Sequence, residues 1–292
     1  MKKLSEYLRA DKLCKGDVGI EIEIEGDDLP NVDDKYWKTE RDGSLRDGKE
    51  YVLKAPVSLE EANSALRVLK EELIYSKPSF SFRTSVHVHL NVQDLTHKEI
   101  CSLIYLYYLL EEPLMTYCGR SRKGNRFCLR LQDADGVINN LRLLFSVGVE
   151  YAIDNIDQDE VRYSALNIAA LPKYGSLEFR AMEGNIDVNR LNIWLLAITK
   201  LKKAATNGLT PVDWYNRMNL LGSKKILDEV LDEISDVFVY PRLERDMALS
   251  ASLSIDLPFM YVPEKEAVKA VRKRVVKPVE PVEEEEEEDG DE

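Results

Sequence analysis

The chain has 292 residues, of which 44% are hydrophobic, enough to bury the core of one large domain or two modest ones. Its formal net charge of −13 is misleading, because nine acids lie in the last ten residues and the rest of the chain carries only about −4. No folded-looking stretch interleaves Lys or Arg with aromatic residues, so the composition argues against nucleic acid and anionic membranes as partners.

Five stretches alternate apolar and polar residues, which predicts β-strands with one buried face. Turn-forming residues separate them; DGSLRDG at 42–48, for example, lies between the first two. The predicted strands cover residues 17–25, 50–54, 81–91, 161–169 and 174–182.

Capping boxes and apolar periodicity predict the helices. Ser58 with Glu61, and Thr96 with Glu99, match the S/T-x-x-E pattern ahead of apolar runs. The box at Thr96 predicts the start of a long buried helix. Beyond the helix that begins near Ser58, the predicted helices cover about 97–117, 188–206 and 223–236.

The arrangement of these elements predicts the fold class. Strands joined by hairpin-length turns, with helices between them but no regular βαβ alternation, indicate an α+β fold with a mainly antiparallel sheet. From about Pro263 the chain loses apolar periodicity and ends in a run of glutamates, which predicts disorder. We therefore predict a folded domain over residues 1–262 and an acidic tail over 263–292 that is available to a protein partner.

Cysteine spacing and the chain start predict the compartment. The four cysteines show no paired spacing, and MKKLSEYLRA lacks an apolar signal core, so we expect reduced, structural thiols. The longest apolar stretch, residues 100–110, is too short to span a bilayer. These features predict a cytoplasmic protein.

The first strand concentrates negative charge on one face. In GIEIEIEG, alternation places Glu21, Glu23 and Glu25 together, opposite the isoleucines. Three neighbouring carboxylates repel one another, so solvent, arginines or a bound cation must offset that repulsion. The strand SVHVHLN repeats the pattern, with His87 and His89 on its polar face.

A third strand, in GSLEFRAMEG, places Glu178 and Arg180 on one face. A solvated outer face explains the alternation of any single strand equally well. Outer faces, however, usually mix Lys, Thr, Ser and Gln, whereas these positions carry residue types that bind metal or phosphate. If the strands face one cavity, Glu21, Glu23, His87 and Glu178 suit a divalent cation.

Glu50 and a set of arginines extend this pattern. Glu50 follows the turn at 42–48 and is either an ordinary strand-start acid or a further ligand. Clustered guanidinium groups capture phosphate or carboxylate in a bidentate manner, although any one arginine can instead pair with a surface acid. The candidates are Arg83, Arg120, Arg122, Arg126, Arg130, Arg162 and Arg180.

Five motifs in order carry a resemblance to a known family: GIEIEIEG, DGSL with a following Glu, HVHLN, RYSALNI and GSLEFRAMEGNID. Over roughly residues 17–200 the chain resembles the amidoligase branch of the carboxylate–amine ligases, which is related in fold to glutamine synthetase and gamma-glutamylcysteine ligase. The resemblance implies a curved sheet of glutamine-synthetase-like type, with helices packed on its outer face. It also implies that residues 1–262 form an amidoligase-like catalytic domain.

The resemblance also implies roles for individual residues. It gives no metal role to Glu25 or Glu183, and the chain departs from the family pattern at Ser85-Val86 and at 54–56, which affects the shape of the substrate pocket. The implied metal ligands are Glu21, Glu23, Glu50, His87 and Glu178; the predicted nucleotide- or phosphate-binding residues are His89, Arg83, Arg126 and Asn167; and the catalytic arginines are Arg162 and Arg180.

The function implied is ATP-dependent amide formation. A substrate carboxylate is converted to an acyl phosphate, and an amine then displaces the phosphate, with Mg²⁺ or Mn²⁺ neutralising the converging negative charges. The acid and amine would be small molecules or peptides. The chain lacks a Walker phosphate loop, which is consistent with nucleotide held by metals and strands. Two alternatives remain open: a metal-dependent hydrolase and a non-catalytic binding or assembly module.

Overall fold

A seven-stranded sheet organises the protein, whose structure, a computed structural model, describes residues 2–263. The strand order is β2-β3-β1-β5-β7-β6, with β4 paired to β1, and each of these strand pairs is antiparallel. The predicted antiparallel α+β arrangement is thus confirmed. The strands are β1 (Val18–Asp27), β2 (Trp37–Glu40), β3 (Gly48–Leu53), β4 (Lys77–Ser79), β5 (Ser85–Asn91), β6 (Leu166–Asn167) and β7 (Ser176–Glu183).

Eleven α-helices accompany the sheet within the described part of the chain. Both predicted capping boxes are present, at Ser58 and at Thr96. The helices are α1 (Leu59–Glu72), α2 (His97–Cys118), α3 (Asp135–Val147), α4 (Val149–Ala152), α5 (Gln158–Val161), α6 (Ala170–Tyr174), α7 (Val188–Ala205), α8 (Pro211–Leu221), α9 (Ser223–Leu231), α10 (Leu243–Leu253) and α11 (Asp256–Phe259); 3₁₀ helices lie at Leu4–Glu6, Ala10–Lys12, Arg120–Arg122, Leu131–Asp133 and Asp232–Phe238.

The apolar face of the sheet packs against helices, as predicted. Ile20, Val86 and Val88 meet Leu66 of α1 and Trp194 of α7 around a small void. Burying such aliphatic and aromatic side chains stabilises the fold by about 1.5–3 kcal/mol per residue. Because successive strand residues alternate in direction, this packing turns the acids and histidines of β1 and β5 toward the opposite face.

One predicted strand, 161–169, is mostly wrong. The Asp157 carboxylate accepts a hydrogen bond from the Asp159 amide and starts the short helix α5, an N-terminal signal that alternation does not reveal. The Ser164 hydroxyl then lies 2.6 Å from the carbonyl oxygens of Val161 and Leu166, which stabilises a turn. Only Leu166–Asn167 remain as strand β6.

Two other predicted elements are shorter than expected. The strand predicted over 81–91 begins at Ser85, because Thr84 hydrogen-bonds back to Ser81 and closes a turn. The helix predicted over 223–236 ends at Leu231, because Asp232 has φ of +50°, which an α-helix cannot include. A 3₁₀ helix follows instead.

The structure tests the predictions about the cysteines and about membrane-spanning helices. All four cysteines are free thiols. Among residues 2–263, no helix has both the length and the apolar character that crossing a bilayer requires. The predicted acidic tail, apart from Pro263, lies outside the described residues. A cytoplasmic location and the glutamine-synthetase-like curvature remain predictions.

Candidate metal and phosphate site

Sheet register brings the predicted metal-binding residues together. Glu21 of β1 is the Cα partner of His87 of β5, and Glu23 is the partner of Glu50 of β3. On the next pair of strands, Glu178 of β7 lies opposite His89. The β5–β7 register shifts at His87, and a bulge of this kind re-aims a side chain locally. Four strands thus present their charged residues to one region.

His87 lies at the centre of this region. Its Nδ1 atom is 3.3 Å from Glu21 Oε2 and 3.7 Å from Glu178 Oε1. Its Nε2 atom is 2.7 Å from the Ser85 hydroxyl oxygen. The ring is almost fully buried, so each of these polar contacts acts with little screening by water.

Ser85 orients this histidine, although its role was not predicted from the sequence. The Ser85 hydroxyl donates to Glu23 Oε2 at 2.5 Å, so its oxygen accepts the Nε2–H of His87. The other ring nitrogen, Nδ1, faces Glu21 Oε2 and is the atom available to bind a cation. A second partner that fixes the tautomer is typical of histidines that bind metal.

A cavity of about 480 Å³ opens above these residues. Asp42 and Ser44, from the DGSL turn, line it although the sequence analysis gave neither a role; the D-G-S-L motif itself was the available signal. Glu178 lies buried beside it. The lining residues are Glu21, Glu23, Asp42, Ser44, Glu50, Arg83, Ser85, His87, Phe127, Arg162, Tyr163, Asn167 and Arg180.

The donor atoms of this cavity fit a hard divalent cation. Glu21, Glu50 and His87 offer ligand atoms within 4.8 Å of one another, and so do Glu23, Asp42 and Glu50. A third group on the far side of Glu21 consists of Glu21, His89 and Glu178. Carboxylate oxygens with one imidazole are a donor set suited to Mg²⁺ or Mn²⁺. All five predicted metal ligands occur in these groups.

The acids of the cavity differ in charge state. Burial opposes ionisation of Glu21, but hydrogen bonds and charge from His87 and His89 outweigh burial and hold its pKa far below the usual range. Burial raises the pKa of Glu50 to about 8, with further contributions from the Glu21, Glu23, Asp42 and Glu40 carboxylates. A bound cation would stabilise the ionised form of Glu50 against both burial and this repulsion.

We expect Glu50→Gln to stabilise the metal-free protein at alkaline pH. Below about pH 4.5 the carboxyl is protonated in both the folded and the unfolded chain, so the variant gains nothing. As pH rises to 8, only the folded chain keeps the proton, and wild-type stability falls. After a discount for solvent screening, the gain above pH 8 is about 2 kcal/mol.

Urea unfolding at pH 5, 7 and 9 with EDTA measures this difference. The exposed Glu72→Gln serves as the matched control, with no pH-dependent gain expected. A Glu50→Gln variant that is less stable than wild type at pH 9 would show that Glu50 is not in a repulsive cluster.

Glu178 and Arg180 form an ion pair at the edge of the cavity. Arg180 Nη1 donates to Glu178 Oε1 at 2.5 Å, and Asn167 Nδ2 donates to Glu178 Oε2 at 2.6 Å. Burial opposes ionisation of Glu178, but the charges of Arg180, His87 and His89 outweigh it and lower its pKa. Arg180 Nη1 also lies 3.5 Å from His87 Nδ1, while its buried Nε has no hydrogen-bond partner among the described residues.

A smaller cavity of about 240 Å³ adjoins the first and shares Glu21 with it. His89 lines this side cavity; its Nε2 is 3.5 Å from Glu21 Oε1 and its Nδ1 is 3.0 Å from the Ser176 hydroxyl. Burial disfavours the charged imidazole, but the hydrogen bond to Glu21 and the nearby Glu178 raise the pKa of His89. Lys38, Lys54 and the ring of Tyr174 complete the walls with several apolar side chains.

The other predicted residues occupy different positions. Asn167 holds Glu178, as described above. Arg83 lines the main cavity and donates from Nη1 to the Ser44 carbonyl oxygen at 2.8 Å. Arg162 is half exposed at the mouth. Arg126 is exposed, stacks on Phe127 and lies outside the cavity lining.

Glu25 and Glu183, which were given no metal role, have structural partners. Glu25 Oε1 accepts the Arg46 amide at 2.8 Å. Glu183 pairs with Arg190 at 2.8 Å and accepts the Ser121 hydroxyl. Neither acid belongs to a possible metal-binding group within residues 2–263.

Comparison with known proteins gives one family match. A protein-family model described as "Putative amidoligase enzyme" matches residues 51–200. The matched range contains His87, His89, Glu178 and Arg180, while the acids of β1 and Glu50 precede it. No curated protein matches the chain.

Proposed function

Because this chain belongs to the amidoligase family, we propose that it is an ATP-dependent ligase that joins a carboxylate to an amine through an acyl phosphate. The observation that carries the proposal is the convergence of Glu21, Glu23, Glu50, His87 and Glu178 on one region beside Arg180. Triphosphate and carboxylate are both anions, so their reaction needs a site that neutralises charge.

The metal ligands proposed are the five residues predicted from the sequence, with Asp42 added by the structure. Mg²⁺ or Mn²⁺ bound there would screen the negative charge on phosphate and carboxylate oxygens. Two of these side chains are held in position by neighbouring residues. Ser85 fixes the orientation of His87, and Asn167 and Arg180 fix that of Glu178. Such supporting contacts usually matter for metal affinity nearly as much as the ligands do.

The proposed reaction has two steps. An oxygen of the substrate carboxylate bonds to the γ-phosphorus of ATP and the bond to the β-phosphate oxygen breaks, giving an acyl phosphate and ADP. The amine nitrogen then bonds to the acyl carbon, loses a proton and expels inorganic phosphate. Arg180 on the cavity wall and Arg162 at its mouth would donate to the transferring phosphoryl group, which is typically worth a few kcal/mol per donor.

The nucleotide and the organic substrate would together occupy the two cavities. We assign phosphate contacts to Arg83 and Asn167 in the main cavity and to Arg126 outside its mouth, with His89 acting across Glu21. The half-apolar side cavity suits an organic substrate or the organic part of the nucleotide. Glu21 lies between the two and would contact both.

We expect ATP to bind this protein only when Mg²⁺ or Mn²⁺ is present, because the ionised carboxylates of the site repel an uncomplexed triphosphate. Isothermal titration with ATP, first in EDTA and then with either metal, tests this dependence. A screen of acid and amine pairs for ADP release, followed by mass measurement of the product, tests the reaction. Metal-independent ATP binding, or hydrolysis of an amide without any nucleotide, would contradict the proposal.

A further inference from the structure

Arginines and aromatic rings alternate around the mouth of the main cavity. The group, which we call the arginine–aromatic rim, consists of Phe82, Arg83, Arg126, Phe127, Arg162 and Tyr163. Each guanidinium stacks on a ring: Arg83 lies 5.4 Å from the centre of Phe82, Arg126 lies 4.8 Å from that of Phe127, and Arg162 lies 4.5 Å from that of Tyr163. Phe127 and Tyr163 themselves meet edge to face at 6.1 Å.

The charge of this rim is poorly neutralised by the described residues. Arg126 makes no ion pair within residues 2–263 and is exposed to solvent. Arg162 lies 3.7 Å from the exposed Asp159 and donates from Nη2 to the Tyr163 hydroxyl. Arg83 donates to a neutral carbonyl oxygen, and its buried Nε atom has no partner in the described structure. A guanidinium has five N–H donors, so each of these arginines keeps donors for carboxylates beyond the contacts it already makes.

We propose that the rim is a docking surface for a carboxylate-rich peptide segment, and that residues 283–292 of this chain are that segment. Nine of these ten residues are acidic. The match is one of charge and of number, because the nine acids exceed the six Lys and Arg residues of 264–282 and leave carboxylates for the three guanidiniums of the rim. Tethering raises the effective concentration of this segment into the millimolar range, which favours it over a free acidic peptide of equal affinity.

The chain is long enough for this contact. The described part ends close to α3, where the Val262 amide donates to the Phe145 carbonyl oxygen at 3.0 Å. Residues 264–282 can span at most about 65 Å. A domain of this size has a radius of gyration of about 18 Å. The extended linker is therefore longer than the domain is wide, and the segment can reach the rim from most of the surface.

Carbodiimide crosslinking of the full-length chain tests the contact. Arg126→Lys keeps the positive charge and supplies an amine, which the reagent condenses with a nearby carboxyl group to give an amide, with loss of water. Mass spectrometry of the digested protein then identifies which acids have reacted. No metal or nucleotide is added, so the result is independent of the proposed ligase activity.

Arg142→Lys is the matched control, since Arg142 is also exposed and lies one helical turn from Phe145, nearer to the start of the tail. We expect about fivefold more crosslinking to residues 283–292 at position 126 than at position 142, from three exposed ion pairs. That preference should vanish in 1 M NaCl, where the Debye length is about 3 Å. It should also vanish when Glu283–Glu288 are replaced by Gln.

Equal crosslinking at the two positions, or a preference that survives both salt and neutralisation of the glutamates, would overturn the proposal. Thermal denaturation of each variant, compared with wild type, confirms that the crosslinks report a folded chain.

Discussion

Glu178→Gln is expected to weaken binding of Mg²⁺–ATP by at least about 100-fold while the fold persists. Glu178 contributes a buried, ionised carboxylate to the region where His87, Glu21 and Arg180 meet. A glutamine side chain still accepts a hydrogen bond from Arg180 or Asn167, which preserves local packing. It lacks the negative charge that holds a divalent cation, so metal and nucleotide are lost together.

Isothermal titration of Mg²⁺–ATP into wild type, Glu178→Gln and Glu21→Gln measures this effect, and thermal unfolding reports the fold. Glu72→Gln, on the exposed end of α1, is the control and should bind as wild type does. Undiminished metal–nucleotide affinity in both site variants would refute the assignment of the metal ligands.

Arg180→Met is expected to cost about 3–5 kcal/mol of stability, the typical cost of breaking a buried ion pair. The substitution leaves Glu178 buried and charged without its strongest partner. Catalysis, where substrates have been found, should fall by about 10²–10³-fold through loss of a phosphoryl-group donor. The stability effect alone is measurable by urea unfolding without any substrate.

The double variant Arg180→Met/Glu178→Gln separates the two roles of the pair. With the charge on Glu178 removed, most of the lost stability should return, because the uncompensated charge is gone. Metal–nucleotide binding and ligase activity should not return. A double variant as unstable as the single one would mean that Arg180 stabilises the fold through packing rather than through its charge.

Most of the predicted site residues follow from the alternation of apolar and polar residues along single strands. In β1, β5 and β7 the apolar residues pack on helices, and the acids, histidines and Arg180 face the opposite side, as a period of two requires. Hydrophobic burial enforces this, since a slip of one residue would bury the charges. The same rule failed at 161–169, where an Asp157 cap and the Ser164 turn overrode the alternation.

Other features depend on contacts between separate segments, which no local pattern predicts even where a motif such as DGSL marks one of the segments. Ser85 orients His87 only because β1 brings Glu23 within hydrogen-bonding distance, 62 residues away in sequence. Asp42 joins Glu50 because the turn that precedes β3 folds over the sheet. The rim gathers three arginines from three separate loops beside three aromatic rings; the sequence analysis named the arginines, but it did not predict that they lie together with the rings.

The amino-acid sequence by itself determined which residues of each strand are buried and which are polar, because that division follows from local periodicity and the free energy of burying apolar surface. Only the tertiary structure decided which polar residues meet, since strand order and register set distances between segments far apart in the chain. The sequence of this protein therefore predicted which types of residue would bind metal and phosphate. It did not predict how Ser85, Asp42 and the arginine–aromatic rim are arranged around those residues.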